Sequence, residues 1–153
     1  MIALTRKTTY AVEAVLEIAQ TANTDPAQTR HFTESKGVGH RYLEKVMQKL
    51  VRAGVLKGVR GPGGGYVLAR ERRRITVGEI VRAVEATSPR VEREPEPDSV
   101  LAERVITPLW LDVRQVMMRE LDAITLDDMC VRASAHGLVR ARSVQAEIGR
   151  AHV

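Results

Sequence analysis

Two short stretches of this chain carry residue types that can do chemistry. In the first, His40, Arg41, Tyr42, Glu44, Lys45 and Lys49 fall within ten positions; in the second, Arg60 precedes Gly61, Pro62, Gly63, Gly64, Gly65 and Tyr66. Arg and Lys at helical spacing supply phosphate contacts and base-edge hydrogen bonds, so the first stretch suits a duplex groove. A glutamate among those cations would meet a repulsive phosphate field unless it accepts from a cytosine amino group, which makes Glu44 a candidate base reader. The plainer alternatives are a capping acid beside surface bases for Glu44 and a core brace for Tyr42. Arg60 suits a minor groove, whose negative potential attracts guanidinium, and the glycine amides after it can approach phosphate closely. An ordinary tight hairpin with an incidental arginine is the rival reading, but five small residues exceed what such a hairpin requires.

Other chemistries fail on spacing. A dinucleotide-binding glycine pattern would need glycine where Tyr66 stands, and no Gly-Lys-Ser/Thr closes the run as a phosphate loop requires. His31, His40, His136 and His152 are scattered without metal-ligand spacing. No Ser/His/Asp, Cys/His or paired-carboxylate set stands out, so neither an enzyme nor a metal or cofactor site is expected. Cys130, the one cysteine, precludes an internal disulfide and fits a reducing compartment. It shares a helix face with Leu126, Met129 and Ala133, which predicts a buried packing thiol, with a redox role as the alternative.

The elements that must position these residues follow from periodicity. A helix is expected from Thr5 to Ala22, capped by Thr5 and buried along Val12, Val15, Leu16 and Ala19. A short helix over Phe32–Lys36 stops at Gly37, and a longer one runs from His40 to Ala53, closed by Gly54. Leu43, Val46, Met47, Leu50 and Val51 form its apolar stripe. Helix, glycine turn and second helix with a basic opening make a helix-turn-helix. Val55–Arg60 and Tyr66–Ala69 read as strands around the glycine tip, which completes a wing. Thr76 and Glu79 form a capping box for a helix to about Ala86, with Val77, Ile80, Val81 and Val84 buried. Thr107 and Pro108 open a longer helix, in which Leu109, Trp110, Val113, Val116, Met117, Leu121 and Ile124 make an apolar surface wide enough to imply a partner helix. Thr125 caps a short last helix.

The expected architecture is therefore mainly α with a small β-hairpin wing: a winged helix-turn-helix plus a long dimerisation helix. The DNA-binding domain spans 1–86, a Pro- and Glu-rich linker 87–106, the dimerisation and short terminal helices 107–135, and a partly disordered tail 136–153. The 153 residues carry a net charge of +5, but residues 30–74 hold 12 Lys/Arg against three acids while residues 75–130 hold six against 12. That asymmetry fits one face meeting a polyanion. Aromatics at 3% weaken any reading as a base-stacking single-strand binder. No apolar run is long enough for a membrane span and no secretory leader opens the chain, so a cytoplasmic location is expected.

At Tyr42, Glu44, Leu50, Ala53-Gly54 and Arg60 through Leu68 the chain resembles the Rrf2 family of bacterial transcriptional regulators. The likeness starts at Leu4-Thr5, continues through Tyr10, Thr76 and Glu79 to Glu85, and resumes at Leu109-Trp110 and Ile124-Thr125-Leu126. The resemblance implies a homodimer on a roughly palindromic operator, with Tyr42 and Glu44 in the recognition helix and Arg60 with Gly61–Gly65 in a minor-groove wing. It also implies, for sensing members, three cysteines holding an iron–sulfur cluster before the long helix. Here Pro89–Arg104 contains none, and one thiolate cannot hold a conventional cluster within one subunit, so no cofactor is expected. Control by a small molecule, a protein partner or a redox signal stays open. The rival classes are a protein-interaction module on a winged fold and a sensor with a non-standard metal or cluster site.

Overall fold

The structure, a computed structural model, describes residues 5–21, 26, 37, 39–85 and 97–138. The expected helix over 32–36, most of the expected linker and the tail from 139 onward lie outside the described residues.

Helix α1 (Arg6–Gln20) begins where the Thr5 hydroxyl accepts from the Thr8 amide at 3.2 Å. Its buried face is Thr8, Ala11, Ala14, Val15, Ile18 and Ala19, while Val12 and Leu16 are only partly covered. The stripe expected from the larger residues is therefore rotated. Small alanines let α1 approach several neighbours at once, so its most buried side is set by closeness rather than side-chain size.

Helix α2 (His40–Arg52) buries Leu43, Val46, Met47 and Leu50. Val51, at the margin of that stripe, stays 36% exposed. Gly54 takes φ +75°, the left-handed conformation that ends a helix cheaply only in glycine. The chain then turns into β1 (Leu56–Val59) and β2 (Gly65–Leu68), an antiparallel pair with Leu56 opposite Leu68 and Gly58 opposite Tyr66. Gly61 at the tip has φ +111°, and a Cβ on Gly64 would lie 2.3 Å from the Val59 carbonyl oxygen. Those two glycines are demanded by the turn itself.

Helix α3 (Val77–Glu85) opens on the expected capping box: the Thr76 amide donates to Glu79 at 2.9 Å and the Glu79 amide to the Thr76 hydroxyl at 3.2 Å. The long helix α4 (Thr107–Asp122) differs from expectation at its start. Thr107 is not a cap but sits inside helical backbone at φ −61°, ψ −46°. Helical residues reach back through a π-helical turn, Ala102–Ile106, to Ser99, whose hydroxyl accepts from the Ala102 amide at 3.1 Å. Pro108 has no N–H and its ring crowds the preceding turn, and the widened turn lets the helix pass it without breaking.

Leu109, Trp110, Val113 and Val116 are exposed on α4, between 39% and 54%. Met117, Leu121 and Ile124 instead pack on a small cluster of Val77, Val81 and Met118, which joins α4 to α3. Helix α5 (Leu126–Ala135) carries its own capping box through Thr125 and Asp128. It is stitched to the start of α3 by an isolated Thr76–Thr125 bridge, with Val77 N–H donating to the Ile124 carbonyl and Leu126 N–H to that of Ile75, both at 2.9 Å. Leu126 and Cys130 enter the main core beside residues of α1, α2 and α3.

Candidate nucleic-acid interface

With Leu43, Met47 and Leu50 turned inward, α2 shows an outer crest of Arg41, Lys45, Gln48 and Arg52, all exposed. Two edges flank that crest. His40 and Glu44, one turn apart, form the edge facing the hairpin, and both are exposed. They line an open cleft whose far wall is built from Gly58, Val59, Arg60, Gly61, Gly64, Gly65 and Tyr66. Tyr66 is half-buried against the core, and its phenol is pushed up by burial and then by the nearby Glu44 carboxylate.

Tyr42 and Lys49 make the opposite edge. The Tyr42 ring packs partly on the core, burial pushes its phenol up, and the Lys7 ammonium of α1 stands 5.4 Å from its centroid. Lys49 is lowered by burial and then by the charges of Lys45 and Lys7. The expected interface residues thus divide between the two sides of one helix rather than forming a single patch. Gly63 lies exposed at the tip, outside the cleft wall.

The basic block also divides. Arg70 donates to the Gly54 carbonyl at 3.1 Å, the Arg74 carbonyl at 2.8 Å and Glu79 at 2.8 Å. Arg72 meets Asp127 at 2.7 Å, with Arg73 at 3.8 Å from the same carboxylate. These arginines brace the hairpin's exit and α5, so the excess of positive charge read along 30–74 does not all reach one face. Among the described residues Arg41, Lys45, Arg52, Lys57 and Arg60 make no ion pair.

Three further residues, Gln48, Gly58 and Lys7, belong to this surface beside the expected Gly63. Gln48 is one turn beyond Glu44 and exposed, and its position on the polar side of the α2 pattern would have revealed it. Gly58 and Gly63 have ordinary φ and an added Cβ would meet nothing within 4 Å. The fold needs glycine at neither place, which leaves room for a partner from outside. Lys7 could be placed here only by the packing of α1 on α2.

Cys130 is 7% exposed. Burial pushes its thiol up, against a smaller opposite pull from Arg72, so the thiolate that redox chemistry or metal binding requires is disfavoured. Among the described residues no three His, Cys, Asp or Glu side chains converge, and no helix is long and apolar enough to cross a membrane.

Residues 4–132 match the Rrf2 family, described as "Iron-dependent Transcriptional regulator". The chain is 32% identical over 127 residues to the HTH-type transcriptional regulator IscR of Klebsiella pneumoniae (strain 342), covering 82% of this chain and 78% of that protein. It is 34% identical over 138 residues to a putative HTH-type transcriptional regulator, ORF2, of Azotobacter vinelandii, covering 90% and 84%. Among solved structures it resembles CymR, the global cysteine regulator of B. subtilis, with a TM-score of 0.65 at 30% identity over 86% of this chain and 98% of that one. T. potens IscR gives 0.65 at 32% identity, over 94% and 96%.

Proposed function

The chain belongs to the Rrf2 family of transcriptional regulators, and from that premise we propose that this DNA-binding regulator is a repressor acting as a homodimer on a palindromic operator. One observation carries the reading. His40 and Glu44 of α2 line one open cleft with the Arg60 hairpin, and Arg41, Lys45 and Arg52 stand exposed on the crest beside it, so a helix suited to the major groove stands beside a ribbon suited to the adjacent minor groove. Arg41, Lys45 and Gln48 on the crest suit base edges and phosphates, and Glu44 suits a cytosine amino group. Arg60 with Gly61–Gly65 suits the minor groove, His40 the cleft between them. Leu109, Trp110, Val113 and Val116 are the α4 positions offered to a second copy, whose two-fold symmetry an operator palindrome would mirror.

The family's description as iron-dependent raises a cluster, and this chain's donor set does not fit one. Cluster iron is held by several thiolates, and here the sole cysteine is a core residue with a disfavoured thiolate. Regulation is accordingly assigned to a small molecule, a protein partner or another signal, with no step through iron.

Selection of random duplexes by the full-length protein should enrich one two-fold sequence, with salt-sensitive binding that resists non-specific competitor. In the same selection Glu44→Ala should relax one position per half-site, by about 1–3 kcal/mol of base discrimination. Failure of the wild-type chain to enrich any sequence would reject operator binding in favour of a protein-interaction role.

A further inference from the structure

We propose that Lys7, on the first turn of α1, is a third DNA-backbone contact: with Lys45 and Lys49 it forms an ammonium cluster for a phosphodiester on the side of α2 away from the wing. This rests on the operator-binding reading above and adds to it a contact outside both the recognition helix and the hairpin.

Lys45 on the crest adjoins the edge formed by Tyr42 and Lys49, the three spaced at i, i+3 and i+7, and Lys7 reaches that edge over the Tyr42 ring at 5.4 Å. Three ammonium groups therefore gather on one side of α2. The gathering is unfavourable in the free protein, since Lys45 and Lys7 both act against the charge on Lys49. Among the described residues Lys7 and Lys45 themselves make no ion pair. The α1 opening compounds the cost: Arg6 and Lys7 occupy its first turn, with no acid there, although the helix dipole disfavours cations at that end.

A polyanion removes all of these penalties together. Duplex geometry puts one at this place. The major groove is about 12 Å wide and a helix with side chains about 10–12 Å across, so both edges of an inserted helix abut sugar-phosphate strands. The hairpin attends to one strand, and the Lys7 side faces the other. A purely structural alternative has Lys7 only pinning the Tyr42 ring by cation–π attraction.

Anisotropy titrations across a salt series, with the enriched duplex and a scrambled duplex as probes, separate these possibilities. Lys7→Gln should flatten the dependence of log K on log salt by about 0.9 and weaken both probes equally, roughly fivefold at 0.15 M salt. Lys7→Arg should keep the wild-type slope. A normal slope and affinity in Lys7→Gln, with wild type binding both probes, overturns the Lys7 contact and leaves the regulator reading standing. Weaker binding with an unchanged slope and a lowered Tm assigns Lys7 to bracing Tyr42 and also overturns it. Wild-type protein that binds neither duplex at low salt overturns both proposals.

Discussion

The cations of α2 and the hairpin contrast with those along the seam of α3, α4 and α5. At the seam Arg82 clasps Asp122 through two hydrogen bonds of 2.6 and 2.5 Å, Arg114 reaches Glu85 at 2.5 Å, and Arg72 holds Asp127. On the α2 and hairpin side, Arg41, Lys45, Arg52 and Arg60 meet no carboxylate among the described residues. The glycines repeat the contrast. Gly78 at the seam is filled from outside, since a Cβ there would come within 2.0 Å of the Asp122 carboxylate, whereas Gly58 and Gly63 face open space. One region has completed its contacts within the chain; the other keeps donors and room for something it does not contain. Residue type alone does not separate a bracing arginine from a binding one. Its partner does.

The sharpest way to break the contrast is at Gly78. Gly78→Val should force Asp122 and the α4 backbone away from α3 and cost about 3 kcal/mol, read as a lowered denaturant midpoint. Arg60→Ala should do the reverse, reducing duplex affinity about 10- to 100-fold while stability changes by less than about 0.5 kcal/mol. Equal effects of the two variants on folding would erase the distinction between the regions.

Thr76→Val removes one half of the α3 capping box and should cost about 1 kcal/mol, with duplex salt dependence unaltered. The smallest effect is expected from Arg82→Gln, an exposed pair contributing under about 1 kcal/mol, again with an unaltered salt slope. Acid titration sharpens the picture. Arg82 holds the Asp122 carboxyl below its ordinary value. Burial raises that of Glu79, but the Thr76 amide and Arg70 outweigh it and leave it lowered. Groups with depressed folded values stabilise above the ordinary carboxylate range and lose that contribution as pH falls through the folded values. Tm should therefore hold steady near neutrality and drop below roughly pH 4, less steeply in Arg82→Gln and Arg70→Gln than in wild type. A slope identical in all three would remove these pairs as its cause.

Much of this was readable along the chain because it is local. The α2 stripe, the Thr5 cap, the boxes at Thr76–Glu79 and Thr125–Asp128, and the glycine tip each depend on residues within a turn or a hairpin of one another. The candidate surface was equally accessible where it follows the polar side of α2, although Gln48 was overlooked there. Features needing distant segments were not accessible. Pro108 marked a helix start by its usual preference, yet the helix begins earlier because Ser99 offers a cap and a π turn absorbs the ring.

From its residues alone the chain specifies a basic, stripe-bearing helix followed by a glycine-tipped hairpin, since helical period, caps and positive φ are short-range demands. Only packing decided which cations stay available and which are consumed. Lys57 lies in the hairpin, and Arg70 and Arg72 follow directly after its second strand, but the fold brings Glu79 and Asp127 to those two arginines, and brings Lys7 to Tyr42 on another helix. Charge acts through space, and the distances that matter to it are set by the core.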